Sequence, residues 1–166
     1  MTLNTVLQAI HDTGIASAVR GDSGWEWLFP NIETLHVLAI AIVFGSILMV
    51  DLRLLGVTAR DSAVSKLSRE VLPITWTAIS IAVISGALLF SSKAQMYFSN
   101  LQFELKFLFM LLAGINMAIF HLSAYRRVAG WDYKLPPPIA VRMAGALSIL
   151  LWMAVIFMGR WVGFTT

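Results

Sequence analysis

Residues 29–50 read FPNIETLHVLAIAIVFGSILMV, a mostly apolar run whose charged and ionisable side chains, Glu33 and His36, lie near its start. A bilayer core is crossed by about 20 apolar residues in a helix, so this run is long enough to span a membrane. Further runs of similar character occupy residues 72–90, 103–125 and 139–157. The sequence therefore predicts an all-α integral membrane protein, a four-helix bundle that forms one domain over residues 1–166.

The composition agrees with this fold class. Of the 166 residues, 58% are hydrophobic and only 13% are charged, about half the charged share of a soluble domain. The chain has no cysteine, which excludes disulfides, thiolate metal sites and thiol catalysis. Its net charge of +3 is typical of a membrane protein with basic cytoplasmic loops and does not indicate a nucleic-acid partner.

Basic residues are concentrated in two of the segments between the predicted spans. Eight of the twelve lie there or at the adjoining start of the last span, and these are Arg53, Arg60, Lys66, Arg69, Arg126, Arg127, Lys134 and Arg142. By the positive-inside rule both segments face the cytoplasm. Both termini are then expected on the outer, periplasmic side of a bacterial inner membrane.

The residues before the first span show a helical pattern of their own. Leu3, Val6, Leu7 and Ile10 recur at helical spacing with polar residues between them. This pattern predicts an amphipathic helix over residues 2–20 that lies on the outer membrane surface. Trp25 and Trp27 follow it and are typical of an interfacial anchor.

Ionisable side chains at membrane depth are costly, so each is a candidate functional residue. Glu33 and His36 lie in the outer half of the first span, and Lys106 enters the same leaflet from the third span. We expect these three to form one cluster that binds a cofactor, with His36 as the metal ligand. A neutral imidazole can bind haem iron, and a neighbouring carboxylate can orient its other nitrogen.

A purely structural interpretation is open for each group. Glu33 and Lys106 would then form an ion pair that fixes helix register, and Asp51 would pair with Arg53 or Arg142 at the interface. Two other histidines are expected to be less important: His121 on the third span and His11 on the surface helix. Asn116 shares a face of the third span with Lys106 and would join the polar relay of a permease.

Three short motifs carry a resemblance over nearly the whole length: WLFP at 27–30, ETLHV at 33–37 and DLRLLG at 51–56. With them the chain resembles an uncharacterised family of small four-helix bacterial inner-membrane proteins.

A fainter likeness rests on Leu35-His36, Arg53 and Leu105-Lys106, which resemble small membrane-type protoporphyrinogen oxidases and, more loosely, copper-resistance D-type proteins. That likeness implies a haem-binding role for His36. Glu104 departs from it, because the oxidases tend to have a second histidine at this position.

Three functions are compatible with these features. The first is a b-type haem or porphyrin-linked redox protein in which His36 is the axial ligand, Glu33 its orienting partner and Lys106 the partner of a propionate. The second is a permease for a small solute or metal ion. The third is a non-catalytic partner or scaffold subunit, as a homo-oligomer or within a membrane complex. The sequence does not decide whether the protein is an enzyme. If the protein binds no haem, the sequence indicates no other cofactor.

Overall fold

The computed structural model of the chain describes residues 3–59, 61–133 and 137–165. These form seven α-helices and one 3₁₀ helix, and no strand occurs among them. The α-helices are α1 (Leu3–His11), α2 (Gly14–Arg20), α3 (Leu28–Leu54), α4 (Val64–Ser92), α5 (Ala94–Phe98), α6 (Leu101–Leu122) and α7 (Ile139–Thr165). The 3₁₀ helix is Tyr125–Gly130.

Four of these helices, α3, α4, α6 and α7, are long and apolar enough to cross a membrane. The predicted all-α four-helix membrane bundle is therefore confirmed. Helix α3 packs against α4 and α7, and α6 packs against α7. Thus α3 and α7 are the central helices and α4 and α6 flank them. Following the predicted orientation, we call the end that carries α1, α2 and α5 the outer end and the opposite end the inner end.

Two spans are longer than the apolar runs indicate. Helix α4 begins at Val64, eight residues before the predicted start, because Val64, Leu67 and Val71 bury one face while Lys66 and Arg69 remain exposed on the other. Charged residues interrupt a hydropathy run without interrupting a helix. Pro73 lies inside α4 without ending it. Helix α7 likewise continues past the predicted residue 157 to Thr165.

The N-terminal segment forms two helices, so the predicted single helix over residues 2–20 is wrong in its extent. The side chain of Thr13 accepts a hydrogen bond from the Ala16 backbone N–H at 3.2 Å and caps the start of α2. Helix α1 packs on α5, and α2 packs on α3 and α4. Contacts with the protein thus hold both helices, although Leu3, Val6 and Ile15 remain exposed.

An aromatic and aliphatic core closes the inner end of the bundle. It contains one buried residue from each of α3, α4, α6, α7 and the segment after the 3₁₀ helix, namely Leu54, Val64, Phe120, Val141 and Trp131. All four spans therefore meet there, which fixes their register relative to the polar side chains further out.

Candidate functional site

His36 lies about two turns into α3, in the outer half of the bundle, and its side chain is half-buried against α4. Its Nδ1 lies 3.0 Å from the Ser85 hydroxyl oxygen. That hydroxyl lies only 2.6 Å from the Ile81 carbonyl oxygen, to which it donates its single proton. In this arrangement Ser85 accepts a hydrogen bond from His36 Nδ1–H, and the neutral tautomer with its lone pair on Nε2 is the one that fits.

Gly86 provides the space for this ring. A Cβ at Gly86 would lie 2.9 Å from His36 Cε1, which is closer than two non-bonded carbon atoms approach one another. Any larger residue at this position would push the imidazole away from α4. Gly86 thus leaves room for the imidazole against α4, and Ser85 provides its hydrogen-bond partner.

Lys106 reaches the same region from α6. Its aliphatic chain lies along α7 at Gly159, where an added Cβ would be 3.5 Å from Cδ and Cε and 3.6 Å from Nζ. Its positive charge lies within electrostatic range of His36. Within the part of the chain that the structure describes, no carboxylate lies within 4 Å of this ammonium. Lys106 is a half-buried cation that is available to an anionic ligand.

Glu33 occupies a different position from the one predicted. Its side chain is exposed, and it forms neither the expected ion pair with Lys106 nor a hydrogen bond to His36 among the described residues. One turn of helix separates Glu33 from His36, and the carboxylate is directed to the outer surface. Ser85, which the sequence did not single out, takes the orienting role that was assigned to Glu33.

Above the site, three aromatic rings connect the outer ends of α4, α5 and α6. Phe90, Tyr97 and Phe103 stack with centroid separations of 5.6–6.4 Å. Burial in this stack raises the pKa of the Tyr97 phenol above its ordinary value of 10, and the negative charge of Glu33 raises it further. Tyr97 is therefore a neutral hydrogen-bonding group at the outer boundary of the site.

The predicted interfacial pairing of Asp51 with Arg53 or Arg142 is wrong. Asp51 and Arg53 are both buried, with 5% and 0% of their surface exposed, and no ion pair joins them within the described ranges. Arg53 Nε donates to the Ser62 carbonyl at 2.8 Å and Nη2 to the Asp132 carbonyl at 3.1 Å. Arg53 thus joins the two loops of the inner end.

The remaining sequence candidates do not join the outer site. His121 is exposed near the inner end, where its Nδ1 donates to the Met117 carbonyl at 2.9 Å. His11 contacts Asp12 at the outer surface. Asn116 donates to the Ala144 carbonyl at 3.0 Å in the inner half. Glu104 lines an open groove with α1 and α5 at the outer end.

The site therefore differs from the predicted cluster, because it lacks Glu33 and contains two residues that the prediction missed. We define the outer site as His36, Ser85, Gly86 and Lys106. Gly86 is one of several small residues in the spans, and Ser85 is one of several serines in α4. The sequence offers no signal that pairs either of them with His36, because that pairing depends on the register between α3 and α4.

Comparisons with known proteins place the chain in a family but not in a functional class. Neither the search of curated proteins nor that of solved structures returned a significant match. Residues 28–165, which include all four spans and the outer site, match the profile of a family of unknown function. The chain belongs to this uncharacterised family, DUF6644.

Proposed function

We propose that the outer site binds haem b or a related anionic porphyrin, and that the protein is an inner-membrane haem-binding or porphyrin-linked redox protein. The observation that carries this proposal is the hydrogen bond between His36 and Ser85, which leaves Nε2 as a lone-pair donor in the outer half of the bundle. An imidazole whose Nδ1–H is held by a protein acceptor is the usual form of an axial or metal ligand.

The chemistry of the donor set favours a haem over a bare metal ion. Within the described residues, no group of three or more His, Asp or Glu side chains could hold a metal. A bare ion at His36 would thus have one strong protein ligand, whereas haem iron is held by the porphyrin nitrogens and needs only axial ligation. The unpaired ammonium of Lys106 suits a propionate carboxylate. Bound haem would supply one-electron chemistry, and the protein would supply axial ligation, charge and exclusion of water.

Titration of haemin into the purified protein in detergent tests the role of Lys106. We expect Lys106→Met to weaken haemin binding about 10- to 100-fold, because a charge-assisted hydrogen bond is worth about 1.5–3 kcal/mol. Lys93→Met is the matched control, since Lys93 is an exposed lysine at the same end of the bundle. Equal haemin affinities of Lys106→Met and wild type would show that the ammonium does not contact the ligand.

A second candidate function is that of a partner subunit. In the most apolar window of α6 only 11% of the residues are buried inside the chain, against 22% in each of the other spans. A membrane partner or a second copy could cover this face, although lipid covers it equally well. If haem does not bind, this function becomes the leading one, followed by the permease.

We also propose that the inner end faces the cytoplasm, so that both termini face the periplasm. The concentration of eight of the twelve basic residues in the sequence segments 53–69 and 126–142 supports this orientation. A reporter that is active only in the cytoplasm should work when fused after Lys66 and should be inactive when fused after Gln95. Activity after Gln95 and none after Lys66 would reverse the topology.

A further inference from the structure

In the inner half of the bundle, polar side chains from three helices converge on one turn of α7. Gly145 allows close approach of α3, since a Cβ there would lie 3.1 Å from the Asp51 carbonyl oxygen. The hydroxyl of Ser148, one turn further along α7, interacts with the Asp51 carboxyl group. Asn116 of α6 is bonded to the Ala144 carbonyl of the same turn. We call Asp51, Asn116 and Ser148 the inner site.

The Asp51 carboxyl group lacks a counter-charge. It is 95% buried, and within the described residues neither its Oδ2 nor the buried Nη1 of Arg53 has a hydrogen-bond partner. Arg53 lies on the same helix but donates to the loop carbonyls of Ser62 and Asp132. The other charged or titratable groups near this level have exposed side chains, and these are Arg142 on α7, Arg69 and Glu70 on α4, and His121 on α6. No ion pair of Asp51 occurs among the described residues.

An ionised carboxylate in this position is costly, because burial removes its hydration and nothing in the described chain replaces it. One unit of positive charge on Oδ2 would remove that cost. The side-chain oxygens that the structure brings together here are those of the Asp51 carboxyl group and the Ser148 hydroxyl, and oxygen ligands prefer small hard cations over copper or zinc. One carboxylate and one hydroxyl carry too little negative charge to hold a divalent ion.

We infer that the inner site binds one small monovalent cation, either a proton or Na⁺, on Asp51 in the inner half of the membrane. This site is separate from the outer site and does not depend on haem binding. Asp51 thus acts as a buried cation-binding carboxyl group, a role that intramembrane carboxylates have in proton and sodium pathways.

Thermal unfolding of the detergent-purified protein provides the test. In one series Na⁺ is replaced by choline at constant pH and ionic strength, and in a second series the pH is varied in choline alone. A ligand that binds only the folded state, and whose free concentration is ten times its Kd, should raise Tm by about 3–6 °C. We expect wild type to respond to Na⁺ or to falling pH, which identifies the cation. Asp51→Asn, a neutral isostere, should lose that response.

Two further variants make the result specific. Glu33→Gln removes an exposed carboxylate at the outer end and should respond as wild type does. Ser148→Ala should require a higher cation concentration for the same shift, and it serves as the test variant if Asp51→Asn does not fold. A wild-type protein that responds to neither cation, or an Asp51→Asn protein that responds fully, would overturn the inference.

Discussion

Replacing Arg53 with alanine is expected to lower the free energy of unfolding by about 3 kcal/mol or more, the largest loss of stability that we predict for one substitution. The guanidinium is completely buried and donates to the carbonyls of Ser62 and Asp132, which belong to different loops. Each hydrogen bond from a charged donor contributes about 1.5–3 kcal/mol, and its loss leaves a carbonyl without a partner. In a protein of this size the change corresponds to a fall in Tm of roughly 6–12 °C.

Two variants separate this role from a general effect of charge. Arg53→Lys retains the charge but cannot donate from two positions of a rigid fork, so we expect a loss intermediate between alanine and wild type. Arg69→Ala removes an exposed arginine near the same end and should change stability by less than about 0.5 kcal/mol. Thermal unfolding in detergent measures all three. An Arg53→Ala protein as stable as Arg69→Ala would show that the loops are held by other contacts.

The largest effect on ligand binding is expected for His36→Ala, which should reduce haem affinity more than about 100-fold. The alanine removes the axial nitrogen, whereas Ser85→Ala removes only its hydrogen-bond partner. Loss of such an outer partner typically reduces metal affinity about 10- to 100-fold, so Ser85→Ala should fall between His36→Ala and wild type. Haem content per protein after purification from haem-replete cells measures the series.

The controls for this series are the other two histidines. His121→Ala and His11→Ala should retain the haem content of wild type, because both side chains lie away from the outer site. Size-exclusion chromatography in detergent confirms that each variant remains folded. If His121→Ala loses haem while His36→Ala retains it, the ligand site lies at the inner end instead.

Much of the fold could be predicted because hydropathy reports directly on membrane spans. The four apolar runs correspond to α3, α4, α6 and α7. The errors occur where a helix leaves the apolar region. Helix α4 extends to Val64 through the charged residues Lys66 and Arg69, and the N-terminal helix is divided at Thr13. A helix depends on backbone hydrogen bonds, which hydropathy does not report.

The residues of the predicted site show a similar limit. Depth along a span follows from counting residues, and on that basis His36 and Lys106 share the outer half of the bundle. The prediction for Glu33 failed because pairing also depends on which face each helix presents to the next. The same limit hid Ser85, and it concealed that Arg53 binds backbone carbonyls instead of Asp51.

The proposed function depends on His36 presenting a free Nε2 to a haem or porphyrin in the outer half of the membrane. The most direct test is the visible absorption spectrum of the wild-type protein, purified in mild detergent from haem-replete cells. We predict a Soret band whose intensity is proportional to the haem bound per protein. The band should return when haemin is added to haem-depleted protein. A folded, colourless protein that gains no Soret band with added haemin would contradict the claim.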